Sequence, residues 1–338
     1  NLVLNSSHTH AAPVVWRNTP GMADFDPEHT EKIRAYGQKL IGDLAAVAGE
    51  ALASLAPAQL AAGRDAAGFA INRRELARTG AAGLTDHAVP VLKITAPDGA
   101  LRGVLFGYAC HNTTLGGDFY AVDGDYAGCA MREVERAHPG ATALFLALCG
   151  GDQNPHPRGK YEHVEQYGRA LAGAVERALS GELKPVRPPI RTAFTRAELE
   201  FSPHTREQFV AEAQNANPYK ARRARVMLEA YDQGRPPRRL DNPVQAVRLG
   251  DNFTLLALGG EVVVGYALRA KREFAVDNLV VAGFCHEVAC YIPTRRVLQE
   301  GGYEAVDNLI YYGQPGPFTA DVEERMFRAM HDVMEQCR

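Results

Sequence analysis

Four places in the chain set an ionisable side chain at the end of an apolar run, where a strand could deliver it to a reaction site. The first is NLVLNSSHTHAAP, in which His8 and His10 stand one residue apart. If these residues form a strand, alternation puts both imidazoles on the face that carries Leu2 and Leu4. Such a pair could be two metal ligands, a ligand beside a proton carrier, or two polar residues leaving a strand for a loop. His111 ends the run GVLFGYAC, Glu261 follows LLALGG, and Tyr291 ends VVAGFCHEVAC. Two imidazoles and a carboxylate form a common hydrolytic zinc set, with a position left for water. Zinc lowers the pKa of that water from about 15.7 to about 7. Each residue also has an ordinary reading: His111 as an ordinary polar residue, Glu261 as a first-turn helix carboxylate, Tyr291 as a strand aromatic. The spacings match no HExxH-type signature.

The elements expected to hold these residues alternate between strands and helices. Residues 1–8 read as a strand. A helix follows DFDPEHTEK, with Asp26 as N-cap and Pro27 in the first turn, and runs to about Ala56. VPVLKITA and LRGVLFGYACH read as strands joined by PDGA, and ATALFLALCGGDQNP as a buried strand entering a Gly-Gly turn. Asp125 is expected to cap a helix YAGCAMREVERA, and further helices are expected over 159–180, around YKARRARVMLEAYDQG, over 261–274, and in DVEERMFRAMHDVME. PIRTAFTRAELEF, VQAVRLGDNFTLLALGG and LVVAGFCHEVACYI read as strands, the second with a GDN hairpin turn. This is an α/β pattern of mixed sheets flanked by helices. Asp118, Asp123 and Asp125 form an acidic loop that fails the EF-hand pattern, so turn and capping duty is expected of Asp125.

The chain has 338 residues, 46% hydrophobic, with a formal net charge of -3. That balance offers no electrostatic footprint for nucleic acid, and no apolar run is long enough to be a transmembrane segment. The six cysteines form no CxxC pair and read as buried free thiols. The chain opens at Asn1 inside a strand-like run, so the N-terminus reads as incomplete, and the compartment stays open between secreted or periplasmic and cytoplasmic.

A further signal comes from motifs taken in order: NSSHTHAAP, GFAINRR, GYACHNTTL with DGDYAG, CGGDQNPHP, GGEVVVGYALR and ACYIPTRRVLQEGGYEA. Together they resemble the catalytic domain of the neutral, non-lysosomal ceramidases, zinc amidases that cleave the N-acyl bond of the sphingolipid ceramide. The resemblance runs from Asn1 to about Gly313. It implies one ceramidase-like catalytic domain over 1–338, with its first strands missing and without the family's C-terminal immunoglobulin-like domain. By motif position it implies Zn2+ held by His8, His111, Glu261 and Tyr291, with His10 and Arg73 catalytic. His10 would serve the leaving amine or the oxyanion, and Arg73 would meet developing negative charge. The implied partner is a small-molecule or lipid substrate.

Two departures bear on the substrate. Where the family's glycine turn has serine, this chain has Asn154, which offers both a donor and an acceptor. His286 and Glu287 add ionisable groups close in sequence to Tyr291, so Asn154 and His286 are candidate substrate-binding residues. With only one tryptophan, Trp16, and no aromatic-rich amphipathic helix, a smaller or more polar acylated substrate than membrane ceramide is expected. Other expected possibilities are a different amide or an ester substrate, or an inactive metal- or lipid-binding module.

Overall fold

Apolar alternation in AVPVLKIT and LRGVLFGY, broken by a Pro-Asp-Gly turn, is hairpin chemistry. The computed structural model, which describes residues 2–15 and 19–338, has that hairpin: strand Ala88–Thr95 pairs antiparallel with Leu101–Tyr108. Asn1 and Trp16 lie outside the described residues. The hairpin is the centre of a five-stranded sheet. Thr142–Ala147 adds parallel to Leu101–Tyr108, and Gln59–Ala66 followed by Lys184–Val186 complete the other side. A second sheet has the order Leu279–Ala282, Phe253–Leu258, Arg239–Leu249, Ile190–Glu200, with only its first pair parallel. The expected Gly-Asp-Asn turn joins its two middle strands.

Strand alternation divides the apolar residues among three cores. Val91, Val104 and Phe106 face helices Asp125–Ala137 and Tyr161–Ser180. Leu92, Leu105 and Leu146 meet Phe253, Leu255 and Val280 between the sheets. Leu256 and Leu258 face helices Val264–Phe274 and Val322–Gln336. The result is two mixed sheets face to face, flanked by helices, as the α/β reading expected. Helix Pro27–Ala53 starts as foreseen: the Asp26 carboxylate accepts the His29 N–H at 2.8 Å. All six cysteines are buried free thiols. Among the described residues no helix is long and apolar enough to cross a membrane.

Four expectations need correction. The first segment is not a paired strand; it makes only the isolated bridges Asn5–Cys285 and Thr9–Asn112. Glu261 does not start a helix: Glu261–Val262 is a short strand parallel to Tyr291–Ile292, and the helix begins at Val264. The run after Leu279 stays a strand only to Ala282 and resumes at Tyr291. Asp125 heads its helix rather than preceding it, and its carboxylate accepts the N–H groups of Leu115 and Tyr126.

These details fix where the site lies. Strands Leu101–Tyr108 and Thr142–Ala147 end beside Phe253–Leu258 and Leu279–Ala282. The two sheets touch there through a Leu148–Ala282 bridge and a Gly151 N–H to Val262 O bond of 2.9 Å. Strand carboxyl ends from both sheets therefore open onto one edge.

Candidate active site

His111 leaves its strand by a short turn and is almost fully buried. Its Nδ1 lies 2.8 Å from Gly150 O and 3.1 Å from Gln153 O. Carbonyl oxygens only accept, so Nδ1 carries the proton and the Nε2 lone pair points inward. Burial, then the Arg73 charge, pushes the His111 pKa down to about 4, which keeps the ring neutral. Nε2 faces Glu261 Oε2 at 3.1 Å and Tyr291 Oη at 3.2 Å.

Glu261 is brought there by its parallel pairing with Tyr291, which puts both side chains on the same short ladder. Burial opposes ionisation of Glu261, but His8 and His111 hold its carboxyl well below the usual range. Its Oε1 accepts the Tyr312 hydroxyl, and its Oε2 lies 3.2 Å from His8 Nε2. Burial and the Glu261 charge push the Tyr291 phenol up, while Arg73 opposes them.

His8 reaches this point by a route the strand reading did not foresee. Its backbone is left-handed, φ 59°, and so is that of Phe284, φ 54°, on which its ring stacks at 4.6 Å. Non-glycine residues adopt this conformation only where the surroundings enforce it. Here Asn5 donates to Ala147 O and Gly283 O, Thr9 donates to Asp123 O, and the Ser6 N–H donates to Phe284 O. His10 is exposed at the rim, its Nε2 3.1 Å from His8 Nε2. Despite that exposure, desolvation of the ring, helped by His8 and His111, pushes its pKa down to about 3.

The donor chemistry fits a metal ion. The His111 lone pair and the ionised Glu261 oxygen face each other with no proton between them, an arrangement that a cation stabilises. The ligand nitrogens of His8, His10 and His111 also lie within 4.8 Å of one another, so these three imidazoles could hold a metal too.

Arg73 is set by Asn72, whose side chain caps helix Arg73–Thr79 and donates to the buried Asp152 at 2.8 Å. Asp152 in turn accepts the Val264 N–H at 2.8 Å, tying this helix to the one that follows Glu261. Arg73 donates to Glu304 Oε1 at 2.7 Å, Gly151 O at 2.9 Å, Tyr291 Oη at 3.2 Å and Asn154 Oδ1 at 3.3 Å. Burial works against the Arg73 charge, but Tyr291 and Glu304 more than restore it. Glu304 also holds Arg74 at 2.7 Å and, though buried, has its pKa lowered by both arginines.

Arg73, His10, His111, Tyr291 and Asn154 all line one cleft of about 760 Å³. His286 does not line it. Its left-handed backbone, φ 59°, turns the ring onto Phe194 at 5.8 Å, and Glu287 pairs with Arg196 at 2.5 Å. A larger groove of about 800 Å³ runs along the far sheet edge, near Lys93 and Arg187, and none of these residues lines it. Sequence reasoning missed Asp152, Glu304 and Tyr312 as supports. Asp152 and Glu304 stood inside the motifs CGGD and GGYEA; Tyr312 carried no signal.

The Gly-Gly turn is tight for a physical reason. A Cβ on Gly151 would fall 2.6 Å from the Glu261 carbonyl oxygen. Gly151→Ala is expected to push back the Glu261 strand and cost about 1–3 kcal/mol. Chemical denaturation checks this; an unchanged midpoint would show that the turn yields freely.

No protein-family model matches the sequence, and no curated protein matches it. Among solved structures, the neutral ceramidase from Pseudomonas aeruginosa has a TM-score of 0.70 at 17% identity, over 99% of this chain and 61% of that one. A ceramidase complexed with C2 has a TM-score of 0.70 at 16% identity, over 98% of this chain and 61% of that one. The chain thus spans 61% of the length of these neighbours. What it shares with them is the fold, a mixed α/β sandwich of the ceramidase kind.

Proposed function

We propose that this protein is a zinc-dependent amidohydrolase that cleaves an N-acyl linkage in ceramide or a related acylated amine, with His8, His111, Glu261 and Tyr291 holding the metal. One observation carries the reading: neutral His111 Nε2, ionised Glu261 Oε2, His8 Nε2 and Tyr291 Oη converge, with His111 3.1 Å from Glu261 and 3.2 Å from Tyr291, and His8 3.2 Å from Glu261. Tetrahedral zinc with bonds of about 2.0–2.2 Å needs donors roughly 3.3–3.6 Å apart. Zinc bound there would supply a Lewis acid for the acyl oxygen and a water that ionises near neutral pH.

The chain's own residues supply the rest. Hydrolysis leaves a hydroxyl on the acyl carbon and sends a proton to the departing amine. His10, at the rim beside His8, is the proton carrier. Arg73 holds Tyr291 in place and keeps an N–H on the cleft side for negative charge at the acyl oxygen. Asn154 fixes the Arg73 fork from the other side. The cleft volume suits an acyl chain with a compact amine. A second reading, favoured by the close grouping of His8, His10 and His111, makes His10 a third imidazole ligand.

The test joins elemental analysis to acyl release from a panel of N-acyl amines. One zinc per chain is expected, with release that stops on chelation and returns on adding zinc. Release that survives complete metal removal would defeat the proposal.

A further inference from the structure

We propose that the substrate carries an anion next to its scissile bond and that Arg158 binds it, which makes N-acyl amino acids the fitting substrate class. This deepens the amidohydrolase reading and rests on it for the position of the bond.

Two clefts meet at the rim of the site. The larger is the one that Arg73 and Tyr291 line; the other, of about 560 Å³, runs toward Leu115 and Phe119. His10, Thr113 and Arg158 line both, so they form the shared edge. A molecule made of an acyl arm and an amine arm, reacting beside His10, crosses that edge.

Arg158 differs from its neighbours there. Arg73 pairs with Glu304, Arg74 with Glu304 and Glu300, and Arg78 with Glu75. Arg158 is exposed and, among the described residues, pairs with no carboxylate; its one hydrogen bond is a long 3.5 Å contact with Thr113 O. Most of its guanidinium fork is therefore open to a ligand. Next to it the Thr113 hydroxyl is buried without a hydrogen-bond partner, a donor that an acceptor oxygen at this edge would satisfy.

The charge balance agrees. The larger cleft is lined by four arginines against Glu300 and Glu304, and with Glu75 on Arg78 the surplus is the Arg158 charge, whereas the whole chain is net negative, at -3. A neutral acyl amine has no use for that local reversal. A carboxylate bound to the guanidinium fork has, and in an N-acyl amino acid the carboxylate lies two bonds from the amide nitrogen. Such a short reach keeps the anion on the shared edge while the amide stays beside His10. Hydrolysis then adds water across the C–N bond, giving a fatty acid and a free amino acid.

The experiment compares ligands that differ only in this charge. Calorimetric titration of the zinc-loaded chain uses the ketomethylene isostere of N-lauroylglycine, which cannot be hydrolysed, and its neutral methyl ester. The acid should bind about tenfold more tightly than the ester, a size expected of one charge-assisted contact. Arg158→Ala should erase the preference, and Arg158→Lys should restore part of it. In turnover, Arg158→Ala should raise KM for N-lauroylglycine about tenfold and leave N-lauroylethanolamine unchanged. Equal binding of acid and ester by the unaltered chain, no binding of either, or a preference that persists in Arg158→Ala would overturn the proposal. If the preference follows Arg158 but no amide is hydrolysed, the anion site stands and the amidohydrolase reading falls.

Discussion

Replacing His111 with alanine should remove metal and acyl release together. The His111 ring is placed by two backbone carbonyls, with its lone pair aimed at Glu261 and Tyr291. Glu261 cannot make up the loss, because its two oxygens are already engaged with His8 and Tyr312. Losing a direct ligand should cost more than the roughly 10- to 100-fold in metal affinity typical of a supporting contact. Turnover should fall by more than about 10³-fold, since the activated water goes with the metal. Thermal melting provides the folding control, because the substitution also removes the imidazole N–H from two buried carbonyls, each of which keeps one backbone donor. A folded His111→Ala protein with full zinc occupancy would sink the ligand assignment.

His10→Ala should have the opposite signature. The ring sits at the exposed rim, so its loss should leave the metal in place. It should lower kcat by roughly 10²-fold or more with KM little changed, as expected of a group that acts on the proton in the transition state. Elemental analysis decides between the two readings of the imidazole cluster. If the folded variant binds no zinc, His10 is a ligand and the proton carrier must be sought elsewhere.

The layered α/β architecture could be read from the sequence because it follows from local periodicity. AVPVLKIT and LRGVLFGY announce a hairpin whatever surrounds them, and Asp26-Pro27 marks a helix start by its own chemistry. The errors fall where long-range pairing decides. Residues 2–8 alternate like a strand, but alternation does not say whether a partner strand exists. Gly-Gly-Glu-Val resembles a helix start, and only the distant Tyr291–Ile292 makes Glu261 part of a ladder. His286 is near Tyr291 in sequence, yet a left-handed turn points it to Phe194. The roles of His8, His10, Arg73, His111, Glu261 and Tyr291 came from ordered motifs, not from spacing, and they remain proposals. The structure adds that all six side chains meet at one edge. The Arg73–Glu304 and Tyr312–Glu261 contacts join residues far apart in the chain and leave no periodic trace.

The way residues 2–15 are attached has a kinetic consequence. Asn5, Ser6 and Thr9 tie this segment to the body by scattered hydrogen bonds and isolated bridges, with no continuous ladder to share the load. Peeling such a segment away breaks a handful of contacts and leaves three cores intact, so it costs far less than unfolding the protein. His8 and His10 leave with it, while His111, Glu261 and Tyr291 stay on the sandwich. An ion held as proposed would then have a residence time governed by that one tether, set by how often it detaches and not by the stability of the sheets behind it.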